Sequence, residues 1–300
     1  MSKAITEQGQ NKVNVVGKLS SVTFRQGKFS DGREYESANM IVQVKQTYGG
    51  REETSDVPVS LFASRYTKNN TLNPGYTQLQ ELKNFNTIQN VGVDEATTVR
   101  ISGANLRENI FASRSGQIIN TWQISTSFIG STVNMLDTAS FVMDIFILDM
   151  KPEENRDGET TGRLLIKGAV VQYNETLDVL NFIVEQPEAV EFIERNWNMN
   201  DTVTVKGRIR VTAVEAEPVK STWGEDVPES TTRTVRELII TTGDDSGKEE
   251  DFAYDPADIK KLFNARKARI EQMQIDAQNS SKKAAAPTAS AAPARRYSWN

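Results

Sequence analysis

Apolar and polar residues alternate through much of the first 250 residues, and this period-two pattern predicts strands. Val13-Asn14-Val15-Val16-Gly17-Lys18-Leu19 opens a strand that continues through Val22-Thr23-Phe24. Ala38 to Lys45 places Ala38, Met40, Val42 and Val44 on one face and Asn39, Ile41, Gln43 and Lys45 on the other. Tyr48-Gly49-Gly50 turns the chain back into Glu53–Ala63, where Val57, Val59 and Leu61 alternate with Asp56, Pro58, Ser60 and Phe62. Pro58 predicts an edge or a bulge there. After the turn Leu72-Asn73-Pro74-Gly75, Tyr76–Phe85 has helical spacing at Leu79, Leu82 and Phe85. Thr97–Gly130 then reads as two β-type runs around a turn at Ser115-Gly116. Within it Ile118, Trp122, Ile124 and Phe128 keep one apolar register, which predicts a core position for Trp122.

A strand, a helix-bearing connection and a long hairpin build the second half of an OB barrel. The pattern then repeats. After a linker at Asn134–Ala139 come Phe141–Leu148, an acidic loop from Lys151 to Glu159, Leu164–Tyr173 and Leu177–Glu185. Pro187 starts a helix, and Arg233–Thr242 would close the unit. Thr202-Val203-Thr204-Val205-Lys206-Gly207 echoes Thr98-Val99-Arg100-Ile101-Ser102-Gly103, each following a helix. Two divergent copies of one barrel is the economical reading. Asp255-Pro256-Ala257-Asp258 caps a helix to Ala277 with Ile259, Leu262, Phe263, Ile270 and Met273 as apolar positions. The Ala/Pro/Ser/Thr tract that follows has no core to bury. The expected fold is mostly β: two tandem OB-like five-stranded barrels at 11–133 and 139–250, a C-terminal helix at 255–277 and a disordered tail at 278–300.

Composition narrows the chemistry. Cysteine and histidine are both absent, so disulfides, thiolate sites, a Cys nucleophile and the commonest general base and zinc ligand are excluded. The acidic loop Asp149, Glu153, Glu154, Asp157, Glu159 lacks EF-hand spacing, and no cofactor, metal or enzymatic chemistry is expected. With no apolar segment after Met1-Ser2-Lys3 and no long apolar run, the expected location is the cytoplasm. The net charge is −5, but it is unevenly placed. Residues 1–133 carry 14 Lys and Arg against 11 Asp and Glu, +3; residues 134–250 stand at −12 and residues 251–300 at +4. Only the first unit and the tail therefore favour a polyanion. Lys206, Arg208 and Arg210 of the second unit have acidic neighbours.

The wording of the first unit resembles single-stranded DNA-binding proteins of the bacterial and phage type. In that family a strand ending V-x-x-F precedes a helix, then V-x-I-x-G-x-L, a basic loop and a closing strand after a glycine. The matching residues are Val59 to Phe62, Val99-Arg100-Ile101-Ser102-Gly103, Leu106-Arg107, and Gly116-Gln117 before Trp122, within residues 11–130. The resemblance implies sequence-independent binding and protection of single-stranded DNA in replication, recombination or repair, in a phage setting and hence in host cytoplasm. An OB barrel takes nucleic acid across its second and third strands, between two flanking loops. One of those loops holds Arg25, Lys28, Phe29, Arg33 and Tyr35, and the other holds Arg107, Phe111 and Arg114. Lys45, Tyr48 and Phe62 complete the candidate set, with aromatic faces for bases and cations for phosphates. The competing assignment puts Phe29 and Phe111 over the barrel ends and leaves the charges solvated. The expected partners are single-stranded DNA and replication or recombination proteins met through the second barrel or the tail. A structural or virion interaction protein with no nucleic-acid role is the alternative.

Overall fold

The computed structural model describes residues 8–113, 117–155, 157–173, 175–215, 232–244 and 252–284. The first five long strands are β1 (Asn11–Lys28), β2 (Glu34–Tyr48), β3 (Arg51–Ser64), β4 (Thr98–Ala112) and β5 (Ile118–Thr126). They close in the order β1-β2-β3-β5-β4-β1, with only the β3–β5 pair parallel, which is the OB arrangement. Alternation drives the closure: Val13, Val15, Leu19, Met40, Val42, Val57, Leu61, Ile101, Leu106 and Ile124 all turn inward. Pro58 stays paired with Ile41 on β2, while pairing with β5 begins only at Val59, so its missing N–H interrupts no ladder with β5.

Two helices, α1 (Pro74–Leu82) and α2 (Ile88–Val91), fill the connection between β3 and β4. Asn73 caps α1 by accepting the Gly75 N–H at 2.9 Å, Pro74 starts its first turn, and Leu79 and Leu82 are buried in the barrel core. The helix is tied to β2 through Glu36, which is 1% exposed. Glu36 accepts hydrogen bonds from Gln80 at 2.7 Å and Gln26 at 3.4 Å and pairs with Lys83 at 2.7 Å. Burial pushes this carboxyl up, but Lys83, Gln80 and Gln26 outweigh it and hold the group below its ordinary value. A depressed carboxylate contributes stability above its unfolded pKa and loses it as pH falls through the folded one. Unfolding midpoints should therefore drop on acidification below about pH 4.5, the ordinary glutamate value. In Glu36→Gln that part of the slope should be missing; an unchanged acid slope would contradict the assignment.

A short β6 (Gly130–Ser131) pairs with β4, and the second barrel follows: β7 (Thr138–Glu154), β8 (Thr160–Gln172), β9 (Thr176–Val184), β10 (Thr202–Glu215) and β11 (Thr232–Asp244). It closes as β7-β8-β9-β11-β10-β7, again with one parallel pair, and α3 (Pro187–Asn196) lies between its third and fourth strands. The sequence echo is in register as far as Ile101 and Val205, after which β4 carries one extra residue. Gly17 lies opposite Val99 on β4, and Ile145 lies opposite Val203 on β10. A bulge follows at Leu19/Ser21 in β1 and at Ile147/Asp149 in β7. On that alignment Val13 and Phe141 are equivalent, and they pair with each other where β1 and β7 run antiparallel. An approximate two-fold axis thus passes between them. One apolar core runs through both barrels across this seam.

The last helix, α4 (Pro256–Ala284), begins where the sequence predicts, with the Asp255 carboxylate accepting the Ala257 N–H at 2.7 Å. It runs to Ala284, beyond the expected end at Ala277, because nothing breaks the helix until the Ala/Pro tract. Ile259 and Leu262 pack with Tyr254 on Phe146, Val171 and Val179 of the second barrel. Arg266 then reaches Glu108 on β4 of the first, with one N–H···O contact at 2.7 Å. The part of the expected tail beyond residue 284 lies outside the described residues.

Other expectations need correcting. Arg25 and Lys28 are on β1, Tyr35 on β2, and Arg107 and Phe111 on β4, so only Phe29 to Arg33 form a turn. Toward these strand ends the buried positions go to charged residues, Glu36 on β2 and Glu108 on β4, so the apolar–polar alternation that marks a half-buried strand disappears from the sequence there. Phe128 is 59% exposed rather than in the core, while Trp122 and Ile124 are buried as expected. The Thr126 hydroxyl accepts the Phe128 N–H at 3.1 Å and donates to its carbonyl at 2.7 Å. That turn ends the alternation, and Ile129 takes the inward position.

Candidate nucleic-acid interface

Three aromatic rings meet on the outer face of the first barrel. Phe29 and Tyr35 have centroids 4.9 Å apart, Tyr35 and Phe62 5.3 Å, and Phe29 and Phe62 6.1 Å. The β1–β2 turn brings Phe29 over β2, and β2–β3 pairing sets Tyr35 opposite Ser64, two positions from Phe62. Gly27 makes room: a Cβ there would lie 2.4 Å from the Tyr35 ring, so only glycine lets that ring lie across β1. Phe62 is 53% exposed, and the Arg33 guanidinium sits 5.2 Å from the Phe29 ring. The nearby cations are held loosely. Lys28 and Arg65 share Glu34 at 3.5 and 2.8 Å, and Arg33 pairs with Asp31 at 2.7 Å, all in solvent. Exposed pairs of this kind are worth about 0–1 kcal/mol, so a phosphate can replace the carboxylate.

From Phe62 a groove of about 410 Å³ continues over Ser60, Asn105, Arg107, Gln123 and Ser125 to Gln172 and Tyr173 of the second barrel. Arg107 makes no ion pair among the described residues. Desolvation holds the buried Asp178 carboxyl, which feels the Arg107 charge, above its ordinary value.

The two-fold axis gives this groove a counterpart. The rung Leu19–Val42–Val57 becomes Ile147–Gly168–Leu180 in the second barrel, so Phe62 corresponds to Glu185. Pairing of β4 with β5 and of β10 with β11 makes Asn105 correspond to Arg208, Arg107 to Arg210 and Gln123 to Glu237. The hairpin turns match through their paired N–H···O=C bonds, Phe29–Arg33 in one and Asn155–Glu159 in the other. Phe29 therefore becomes Asn155, and Tyr35 becomes Thr161. None of the three rings survives. The counterpart groove is instead crossed by ion pairs: Arg208 to Glu53 at 2.5 Å and to Glu185 at 3.0 Å, and Arg210 to Glu237 at 2.6 Å and to Glu185. Burial raises Glu237, yet hydrogen bonds from Arg163 and Arg210 overcome it and keep the carboxylate ionised below its ordinary value. Tyr48 closes the mouth, its ring 4.0 Å from the Arg208 guanidinium.

The structure thus gathers Phe29, Arg33, Tyr35, Phe62 and Arg107 along one face, with Lys28 beside them at the hairpin. Arg25 lies opposite Ser37 on the same hairpin and is exposed. Phe111, 42% exposed, stands four residues beyond Arg107 opposite Ile119. Lys45, paired with Glu52 at 3.2 Å, and Tyr48 lie at the other end of β2 from Tyr35. Ten strand residues span about 33 Å, so these two do not belong to the same cluster. Arg114 lies outside the described residues. Sequence reasoning missed Gln123 and Tyr173, which no local motif marks. Among the described residues no group of three or more acidic side chains is placed to hold a metal, and no helix is long and apolar enough to cross a membrane.

Closure order, helix position and register define a two-barrel OB protein with its barrels joined edge to edge. The chain belongs to the YorF family, whose model matches residues 10–276. No curated protein sequence matches it. Among solved structures it is similar to the wild-type single-stranded DNA binding protein from Thermus aquaticus, at 12% identity over 79% of this chain and 93% of that one, TM-score 0.49. A deletion mutant of the same Thermus protein gives 13% identity, coverages of 79% and 94%, and TM-score 0.48. The small single-stranded DNA-binding protein from Streptomyces coelicolor gives 10% identity over 41% of this chain and 95% of that one, TM-score 0.26.

Proposed function

We propose that this protein binds single-stranded DNA without regard to sequence and shields exposed strands during replication, recombination or repair, in the cytoplasm of a phage-infected host. The observation that carries the reading is the contrast between two grooves related by the two-fold axis. One presents three clustered rings and, on an open face, an arginine that makes no ion pair among the described residues. The other is filled by its own ion pairs. We assign binding to the barrel at 11–133, with Arg25, Lys28, Phe29, Arg33, Tyr35, Phe62, Arg107 and Phe111 as its surface, and a packing and protein-contact role to the acidic barrel at 139–250. Stacking on aromatic faces tolerates any base, and the cations meet phosphates.

Titration against single-stranded DNA, duplex DNA and RNA tests this. A surface engaging roughly five phosphates should give a log–log salt slope near −3.5 on single strands, with a footprint of about 4–16 nucleotides. Duplex DNA should bind far more weakly, because paired bases hide their faces. Equal affinity for duplex and single strand would remove the stacking mechanism. No retention on single-stranded DNA would leave the structural interaction protein as the surviving reading.

A further inference from the structure

The open groove is not made by the first barrel alone. Gln172 and Tyr173, at the end of β8, form its far wall. Tyr173 is 68% exposed although it borders the same groove as Phe62. Its position is fixed from behind. Gln172, 1% exposed, donates to the Leu106 carbonyl at 3.4 Å, next to Arg107, and accepts from Asn11 at 3.4 Å. Asn11 in turn donates to the same Leu106 carbonyl at 2.8 Å and accepts the Leu106 N–H at 2.9 Å. The strand end that carries the ring is therefore anchored beside Leu106 and Arg107 by buried hydrogen bonds across the seam. The other groove shows what such a ring does: Tyr48, from the corresponding turn of the first barrel, lies across Arg208 of the second. In the open groove the position of Arg208 is taken by Asn105, which carries no charge to claim a tyrosine face.

We propose that a single strand in this groove stacks a base on Tyr173, so that one binding site is built from both barrels. The path runs from the Phe29, Tyr35 and Phe62 cluster, past Arg107, to Tyr173. This inference rests on the single-strand reading of the groove, and the experiment separates the two. Binding of labelled oligothymidylate to the full chain is measured by anisotropy for wild type, Tyr173→Ala, Tyr173→Phe and Phe62→Ala, with thermal melts as a check on folding. Both tyrosine changes lie on an exposed side chain and should melt as wild type does. Tyr173→Ala should weaken binding about 5- to 150-fold, the range for losing one stacked base, and Tyr173→Phe should restore it. If Phe62→Ala weakens binding while Tyr173→Ala does not, the composite site is wrong and the first barrel binds alone. If wild type shows no affinity, or neither alanine change matters, the single-strand reading itself falls.

Discussion

Phe62→Ala should cost about 1–3 kcal/mol of single-stranded DNA affinity, as expected for one stacked base, and change the melting temperature little. Its ring is the member of the cluster that faces the groove, and it also supports the Tyr35 and Phe29 rings at 5.3 and 6.1 Å. Truncation therefore removes one stacking face and leaves the other two free to rotate away. Stability is little affected because the side chain is already half in water. Phe128 makes the control: it is 59% exposed, on the turn after β5, and stands outside the cluster. Phe128→Ala should leave binding unchanged. Equal losses from both changes would mean that general surface hydrophobicity, not this site, holds the DNA.

The second large effect is on stability. Arg208→Ala should destabilise the protein by about 3 kcal/mol, the lower part of the range for breaking a buried pair. Arg208 is 7% exposed and joins Glu53 of the first barrel to Glu185 of the second, while Tyr48 stacks on its guanidinium. Its loss leaves two carboxylates in a crowded groove with Arg210 alone, among the described residues, to answer them. Both glutamate side chains keep some solvent contact, 30% and 25%, which is why the upper part of the range is not expected. Urea denaturation would read the change. Arg195→Ala, which breaks the exposed pair with Glu191 on α3, should cost no more than about 1 kcal/mol. An equal effect from the two changes would show that the network between the barrels carries no special weight.

What the sequence reveals and conceals follows from where water lies. Strands buried on one face alternate cleanly, so Ala38–Lys45 and Val57–Leu61 are readable, and the Thr98–Ile101 echo at Thr202–Val205 falls in true register. Toward the strand ends buried positions go to charged residues, Glu36 and Glu108, so the apolar pattern breaks off and Arg25, Tyr35 and Arg107 read as loop residues although they lie on strands. Pairing of β1 with β7 leaves no trace either, since main-chain hydrogen bonds between distant segments impose no side-chain motif. The same holds for Tyr173, whose place in the groove is set by that pairing. Tyr48 looks as suitable as Tyr35 in the sequence; only the fold shows that an arginine from the other barrel occupies its face.

Two barrels related by an approximate two-fold, but encoded in one chain, escape a constraint that binds pairs of identical subunits. In a symmetric dimer every substitution appears twice, so a glutamate that seals one groove seals both. Here Glu185 could arise opposite Phe62 without touching it, and an ion lattice that holds the halves together did not have to coexist with a ligand surface. The resulting particle is lopsided: it offers one open face, and a polymer lying along that face meets the Phe29 end and the Tyr173 end as chemically different ends. If the groove holds a strand as proposed, the strand's two directions are inequivalent on this surface, whereas across a true dyad they would be equivalent.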